Sequence, residues 1–333
     1  MLLAYSKMWL YDAILESDLP DDPQLADDLV RYFPKRLDTP EWRERMANHR
    51  LRREIVATAA TNSMVNRIGG SIVARLVERT GTPPADVARA YLIARDAFGL
   101  RDVWKDIEAL DNKVPAAIQT AMLIEANRLI ERAVSWVLTH APRPFDMARL
   151  RVELAPGIEA VRAQFEQVLP PETSAALAAR AQAYADQGVP EDLARRVAAL
   201  IVLASANDIA RISMRISQPV EAVGRLYFLV GGRFGLGWLR ASAERMPAGS
   251  HWQKLAGDAV IDDLYVRQAA LTESILQEAE GKTPEEALEA WIETRKGAVS
   301  RTDQLVAELR ALGKLELASL TVASHQFAGL TER

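Results

Sequence analysis

The chain has 333 residues, of which 49% are hydrophobic and 26% charged, as in an ordinary globular protein. Its 41 lysines and arginines face 45 aspartates and glutamates, and the net charge of −4 argues against a nucleic-acid partner, since general nucleic-acid binders have a basic excess. There is no cysteine, which excludes disulfides, thiolate nucleophiles and cysteine-ligated metal sites.

The sequence also argues against a membrane partner and an export signal. No run of about 18 uncharged apolar residues occurs, so we predict no membrane-spanning helix. The first 16 residues contain Lys7, Asp12 and Glu16 and lack a charged leader followed by an apolar block, which makes them a poor signal peptide. We therefore expect a cytoplasmic location.

Almost the whole chain has the composition and periodicity of α-helix. Ala, Leu, Arg and Glu dominate, and Pro and Gly cluster between the periodic segments. Val, Ile and Thr are too scattered to build strands. The predicted class is all-α, a multi-helix bundle of antiparallel helices joined by short turns. In chain order, the predicted helices cover residues 2–16, 24–33, 49–79, 84–97, 101–110, 115–138, 146–168, 172–187, 190–214, 218–243, 252–279, 284–299, 302–312 and 315–329.

The first of these helices has an unusual start. Residues 1–16 follow a helical period from the first residue, with Leu3, Leu10 and Ile14 recurring on one face. Neither an N-cap residue nor a turn precedes them. This pattern predicts a helix that begins before residue 1, within a longer protein.

A weak internal repeat has a constant offset of 136 residues, which pairs Tyr91 with Tyr227 and Gly99 with Gly235. Two related helical units that bury their apolar faces against their neighbours would give such a repeat. We expect both units to belong to one compact domain. Its predicted parts are N-terminal helices (1–48), a first unit (49–140), a helical bridge (141–192), a second unit (193–300) and C-terminal helices (301–333).

The run from Gly231 to Gly237 holds four glycines and is the only glycine-rich segment. A dinucleotide-binding fingerprint requires a strand before the glycines and an acidic residue about 20 residues after them. The preceding residues 220–230 have a helical pattern instead. We therefore predict that these glycines end a helix and allow close helix approach, and we expect this chain to bind no cofactor.

Two acidic clusters have the composition of a metal site. Neither has the Asp-Asp-x-x-Asp spacing that places three carboxylates on one helix face. The first cluster is predicted to lie in a turn and cap the next helix, and Asp262 or Asp263 is predicted to pair with Arg267. No histidine pair has helical ligand spacing, so we predict neither metal ligands nor catalytic residues in this chain. The clusters are Asp18, Asp21, Asp22, Asp27 and Asp28, and Asp258, Asp262 and Asp263.

The densest basic segment, at 49–53, contains the candidate docking residues His49, Arg50, Arg52 and Arg53. A phosphate or RNA contact is conceivable from charge alone. Two readings are better supported: ion pairs within the chain, with Glu41, Glu44 and Glu54, or contact with an acidic surface of another domain. Exposed pairs would contribute only about 0–1 kcal/mol each, so any role of this segment is expected to lie in docking.

Polar residues interrupt the apolar pattern that follows. Asn62, Ser63 and Asn66 lie between Leu51 and Ile72, near a predicted buried stripe. Buried polar groups must be hydrogen-bonded, so these residues predict a polar network. An exposed helix face explains the same pattern, and both interpretations stay open.

Several segments resemble one known family. They are Leu-Leu-Ala-Tyr-Ser-Lys at 2–7, Ser-Asp-Leu-Pro-Asp-Asp-Pro at 17–23, Tyr-Phe-Pro at 32–34, His-Arg-Leu-Arg-Arg-Glu-Ile at 49–55, Met-Val-Asn-Arg-Ile-Gly at 64–69, Ile-Glu-Ala-Leu-Asp-Asn-Lys-Val-Pro-Ala at 107–116 and Asp-Asp-Leu-Tyr at 262–265. Over nearly the whole chain, the sequence resembles the C-terminal region of the large bacterial NAD-specific glutamate dehydrogenases.

This resemblance implies a non-catalytic structural or regulatory domain. The parent reaction would convert L-glutamate, NAD and water into 2-oxoglutarate, ammonium and NADH. The family's catalytic residues and its NAD site belong to a preceding dehydrogenase domain, which would be the partner of this chain within the same polypeptide. The resemblance leaves homo-oligomer formation open.

Two alternatives remain. A free-standing helical scaffold could act in trans on a dehydrogenase domain and dock through Leu2, Leu3, Trp9 and Leu10. An independent all-α enzyme could instead use a metal at Asp262 and Asp263, although no second ligand set is evident in the sequence.

Overall fold

The computed structural model describes residues 2–247, 249–312 and 315–331 of the chain. Within these ranges the secondary structure is helix, turn and coil, with no strand, which confirms the predicted all-α class.

The α-helices are numbered in chain order. They are α1 (Leu2–Leu15), α2 (Ala26–Arg31), α3 (Pro40–Ala47), α4 (Arg52–Ile68), α5 (Gly70–Thr80), α6 (Pro84–Ala97), α7 (Leu100–Glu108), α8 (Ala116–His140), α9 (Met147–Ala163), α10 (Phe165–Val168), α11 (Pro171–Ala185), α12 (Glu191–Leu203), α13 (Ala206–Ile216), α14 (Val220–Arg233), α15 (Leu236–Glu244), α16 (His251–Gln277), α17 (Pro284–Thr294), α18 (Lys296–Ala311) and α19 (Leu317–Gly329). Short 3₁₀ turns occur at Leu19–Asp21, Pro23–Leu25 and Lys35–Leu37.

Four predicted long helices are each two helices, and those predictions were wrong. The segment 146–168 breaks at Gln164, between α9 and α10. The segment 49–79 breaks at Gly69, whose φ of 82° takes the backbone out of the helical region. The segment 218–243 breaks at Gly235, whose φ is 67°. The segment 190–214 breaks at residues 204–205, between α12 and α13. In each case the apolar pattern continues across the break, so periodicity alone did not reveal it.

The chain divides into two compact units, each described by itself. Unit 1 comprises Met1–Ala155 and Gln182–Ala204. Its central helix is α6, which packs against α1, α4, α5, α7 and α8. Residues of α6 such as Tyr91, Leu92 and Ile93 are fully buried. A helix surrounded in this way is expected to be apolar on every side, yet α6 also carries two buried arginines, Arg89 and Arg95.

Unit 2 comprises Pro156–Ala181 and Ser205–Arg333. Its core lies between α14, α15, α16, α17, α18 and α19. Phe234 lies at the centre of this core, with edge-on ring contacts to Trp291 at 6.5 Å and to Phe327 at 6.1 Å between centroids.

The helix bounds repeat at the offset found in the sequence. Both ends of α5, α6 and α7 fall 136 residues before both ends of α13, α14 and α15. The turn between the second and third helix of each set uses Gly99 with φ 62° in unit 1 and Gly235 with φ 67° in unit 2. A positive φ favours glycine, which explains why this residue recurs. The shared bounds support two related helical units.

Candidate functional site

The charged residues nearest the centre of unit 1 are arginines of α6. Arg95 is almost completely buried and donates hydrogen bonds to two carboxylates. Its Nη1 and Nη2 atoms lie 3.2 and 3.1 Å from the two oxygens of Asp28 on α2. Its Nε and Nη2 atoms lie 2.8 and 3.1 Å from the oxygens of Asp96. This geometry is a doubly bidentate clamp, the strongest form of arginine–carboxylate pairing.

Two further arginines complete the Arg95 cluster, which we define as Asp28, Arg95, Asp96, Arg101 and Arg151. Arg101 on α7 donates to both oxygens of Asp28, at 2.7 and 2.6 Å, and to Asp96 at 2.9 Å. Arg151 on α9 pairs with Asp96. Three guanidinium groups thus face two carboxylates. The ion pairs of the cluster connect α2, α6, α7 and α9.

A second tie forms around Arg89 on α6. Its guanidinium pairs with Asp18, and it lies 3.6 Å from Asp22 and 3.7 Å from Asp86. Asp22 also accepts a 2.9 Å hydrogen bond from the backbone of Gln24, so the predicted capping role is confirmed for this residue. The other aspartates of the first acidic cluster pair with arginines.

Sequence reasoning did not single out Arg89, Arg95, Arg101 or Arg151. A signal was present, because α6 is apolar all round apart from Arg89, Arg95 and its ends. A charged residue in such a helix requires a buried partner of opposite charge.

The basic segment at 49–53 lies at the start of α4, beside the turn that follows α1. Arg52 and Arg53 both pair with Asp21, and Arg53 donates to the carbonyl oxygens of Leu15 and Ser17 at 2.8 and 2.9 Å. Their ion pairs are therefore within the chain, but with Asp21 in place of the three glutamates named above. His49 and Arg50 are exposed, and the His49 ring accepts a 3.2 Å hydrogen bond from the backbone of Leu51.

The polar residues of α4 have three different environments. Ser63 joins the interior, where its hydroxyl lies 3.1 Å from the Tyr91 phenol and accepts a 3.3 Å hydrogen bond from Arg95. Asn62 is half-buried and lines a groove beside α1. Asn66 is exposed. The structure thus brings Ser63, and not the two asparagines, to the Arg95 cluster.

Tyr91 connects this cluster to the apolar core. Its hydroxyl donates a 3.0 Å hydrogen bond to the Ser63 carbonyl, and its ring stacks on Trp104 with centroids 6.5 Å apart. Burial raises the pKa of Tyr91 to about 12, and the neighbouring Ser63 hydroxyl and Arg95 only partly oppose this shift.

We expect Tyr91 to keep its proton to higher pH than an exposed tyrosine. Because its folded-state pKa lies above the ordinary value of 10.0, its contribution to stability is complete below pH 10 and is lost as pH rises from 10 towards about 12. Subtracting the ultraviolet titration of Tyr91→Phe from that of the parent protein should isolate a component near pH 12. The control Tyr32→Phe removes an exposed phenol and should leave that component in place. A difference component centred near pH 10 would contradict the prediction.

The glycine-rich run lies in a helix–turn–helix. Gly231 and Gly232 belong to α14, and Gly235 has the left-handed conformation before α15, as predicted from the sequence. A Cβ on Gly231 would lie 2.6 Å from the Gln268 amide nitrogen, so this glycine allows close approach of α16. Gln268 in turn donates to the Tyr227 carbonyl at 2.7 Å.

The second acidic cluster is held by neighbouring side chains. Asp263 pairs with Arg267 at 2.9 Å, which confirms the predicted helical pair, and it accepts a hydrogen bond from Ser324. Asp258 pairs with Lys254 at 2.7 Å. Across the described ranges, no group of three or more His, Cys, Asp or Glu side chains is arranged to hold a metal ion.

The helices of the same described ranges also bear on membrane crossing. No single helix there is both long and apolar enough to cross a membrane; only α12 and α13, taken together across a bend, reach that length and composition.

Comparison with known proteins gives one family over the whole chain. Residues 1–329 match the model of the family described as glutamate dehydrogenase, C-terminal. The chain is 37% identical over 333 residues to the NAD-specific glutamate dehydrogenase of Pseudomonas aeruginosa, 34% over 334 residues to that of Halomonas elongata and 31% over 334 residues to that of Mycobacterium tuberculosis. These matches cover 99 to 100% of this chain but only 20% of each relative. The chain therefore spans about a fifth of the length of these curated relatives.

Proposed function

Because the chain belongs to the family of glutamate dehydrogenase C-terminal regions, we propose that it is the non-catalytic helical domain of an NAD-dependent glutamate dehydrogenase. The parent enzyme would convert L-glutamate, NAD and water into 2-oxoglutarate, ammonium and NADH. Its chemistry and its NAD site would lie in the part of the polypeptide outside this region. The observation that carries the proposal is the match over the whole chain to one fifth of each relative.

The interior of unit 1 supports a structural role. Arg95 and Asp28 are buried, and each is engaged by side chains of opposite charge within the chain. Such ion pairs hold helices in register. We infer that unit 1 acts as a rigid platform in a cytoplasmic enzyme. Its partner would be the dehydrogenase domain of the same polypeptide, and contacts between copies are a further proposal.

NAD is assigned to the parent enzyme and not to this chain. The glycine-rich run covers the end of α14, the turn at Gly235 and the start of α15, and Gly231 faces Gln268. A dinucleotide fingerprint would instead join a strand to a helix. The observed glycine geometry therefore supports helix packing and gives no support for a nicotinamide site at these residues.

The proposal is tested by comparing the activity of the isolated chain with that of a full-length enzyme. We expect purified chain to show no glutamate-dependent formation of NADH, measured by absorbance. A chimera in which this chain replaces the matching fifth of the P. aeruginosa enzyme should form NADH, whereas the same enzyme lacking that fifth should lose most of its activity. The unmodified P. aeruginosa enzyme is the positive control. Turnover by the isolated chain, or full activity without this region, would overturn the proposal.

A further inference from the structure

Helix α1 is apolar on two opposite faces. Leu10 and Ile14 are fully buried against unit 1, where α1 packs on α4. Tyr5, Met8 and Trp9 lie on the other face and are 68%, 54% and 39% exposed. We call these three residues the outer stripe. Large apolar side chains that lie exposed next to one another are typical of a surface that another protein surface covers.

The outer stripe borders a groove between α1 and α4. The groove has a volume of about 220 Å³ and is lined by Lys7, Met8, Tyr11, Thr58, Thr61 and Asn62. Thr58 donates to the Glu54 carbonyl at 2.7 Å, as helical threonines commonly do. Thr61 differs, because its hydroxyl oxygen is buried and has no hydrogen-bond partner among the residues that the structure describes. A buried hydroxyl without a hydrogen-bond partner is rare in folded proteins, and a polar group on a docked surface would explain it.

The groove also offers polar groups at its rim. Neither the Lys7 ammonium nor the Asn62 amide has a hydrogen-bond or ion-pair partner within the described part of the chain. Both side chains are partly exposed. Inter-domain interfaces combine apolar anchors with such polar contacts. The groove therefore suits a surface that brings a carboxylate to Lys7 and an amide or carbonyl group to Asn62.

Building on the proposed function, we propose that the outer stripe and the adjoining groove form the docking surface for the dehydrogenase domain of the same polypeptide. In the relatives, four-fifths of the chain lies outside this region and is covalently tied to it. Tethering raises the effective concentration of the two surfaces, so a small patch is enough to hold them together. The surface differs from the Leu2, Leu3, Trp9 and Leu10 set expected from sequence, since Leu10 is buried and the structure does not describe the Leu2 side chain.

The charged residues around the docking surface argue against a second copy of the chain and against a lipid surface as its partner. A two-fold dimer centred on the groove would bring two Lys7 ammonium groups together, and like charges at an interface are unfavourable. A lipid surface is disfavoured because Asp12 and Glu16 are exposed on the same side of α1 as Tyr5 and Trp9. Anionic headgroups would repel these carboxylates.

Oxidation of methionine provides a direct test. Met8 on the outer stripe and Met214 in unit 2 are 54% and 60% exposed, so peroxide should oxidise both at similar rates in the isolated chain. In the P. aeruginosa chimera we expect Met8 to be oxidised about tenfold more slowly while Met214 is unchanged, because buried methionines are protected. Mass spectrometry of peptides measures both sites at once.

Matched variants of the chimera sharpen the test. Tyr5→Glu/Trp9→Glu should restore the Met8 oxidation rate of the isolated chain. Trp42→Glu changes a tryptophan of equal exposure, 40%, outside the stripe and should keep Met8 protected. An active chimera whose Met8 is as reactive as in the isolated chain would overturn the docking surface and leave the proposed function standing. Protection of Met8 in the isolated chain that grows with protein concentration would assign the surface to a second copy and also overturn it.

Discussion

Replacing Arg95 with methionine is expected to lower the free energy of unfolding of unit 1 by about 3 kcal/mol or more, the range seen when one partner of a buried ion pair is removed. Arg95 is the only cluster member in contact with both carboxylates through paired hydrogen bonds on each. Methionine keeps most of the side-chain stem, so the loss measures the charge rather than a cavity. Native-state hydrogen exchange of α6 peptides gives the local free energy of opening.

Two further variants show whether the loss of stability comes from the buried charge of Arg95. Arg45→Met breaks an exposed pair with Glu41 on α3 and should change stability by less than about 0.5 kcal/mol. Asp28→Asn combined with Arg95→Met removes both partners of one contact, so the double variant should lose less stability than the sum of the two single losses. If Arg95→Met costs no more than Arg45→Met, the cluster does not stabilise unit 1 as proposed.

The second large effect is expected in unit 2. Phe234→Ala should lower the free energy of unfolding of that unit by about 3–5 kcal/mol, the usual cost of truncating a buried phenylalanine. The ring is buried at the end of α14 and contacts Trp291 and Phe327 edge-on. Its removal deletes apolar contact area and two favourable ring contacts while the surrounding helices close the space only in part.

Hydrogen exchange of α14 and α16 peptides measures the loss in unit 2. Phe234→Leu retains most of the volume and should cost clearly less than alanine. Phe228→Ala on the same helix removes a partly exposed ring and serves as the matched control. Equal losses for Phe234→Ala and Phe228→Ala would contradict the central place of Phe234 in the core.

The class and most helices of this protein could be predicted from sequence, because helical composition and period persist along the chain. Residues 84–97 were predicted as one helix, and α6 has those bounds. The break at Gly69 was missed because a single residue with positive φ redirects the chain without changing the apolar pattern on either side. At Gly235 the glycine-rich run did predict a helix end, although the predicted bounds 218–243 extend across it. The short helix α3 was also missed, since two turns carry little periodicity.

The polar interior could be predicted only in part. The pair of Asp263 with Arg267 was predictable because both residues lie on one helix at a spacing of four. Arg95 and Asp28 are 67 residues apart, and their pairing depends on how α2 packs in unit 1. The sequence shows which residues are charged, but it does not show which charged side chains lie close together in the fold. The groove beside α1 could not be predicted either, although Asn62 was one of the polar residues seen to interrupt the apolar pattern.

The repeated helices have a consequence for how the chain reaches its folded state. Because α6 and α14 share their length and flanking turns, each is a competitor for the other's place while the chain is still unfolded. In the position of α14, however, α6 would place the Arg95 guanidinium where Gly231 leaves room only for the Gln268 amide. In the position of α6, α14 would leave Asp28 without its central arginine. The buried charge of Arg95 thus distinguishes the two similar helices during folding. Exchanging Arg95 and Gly231 would remove this distinction.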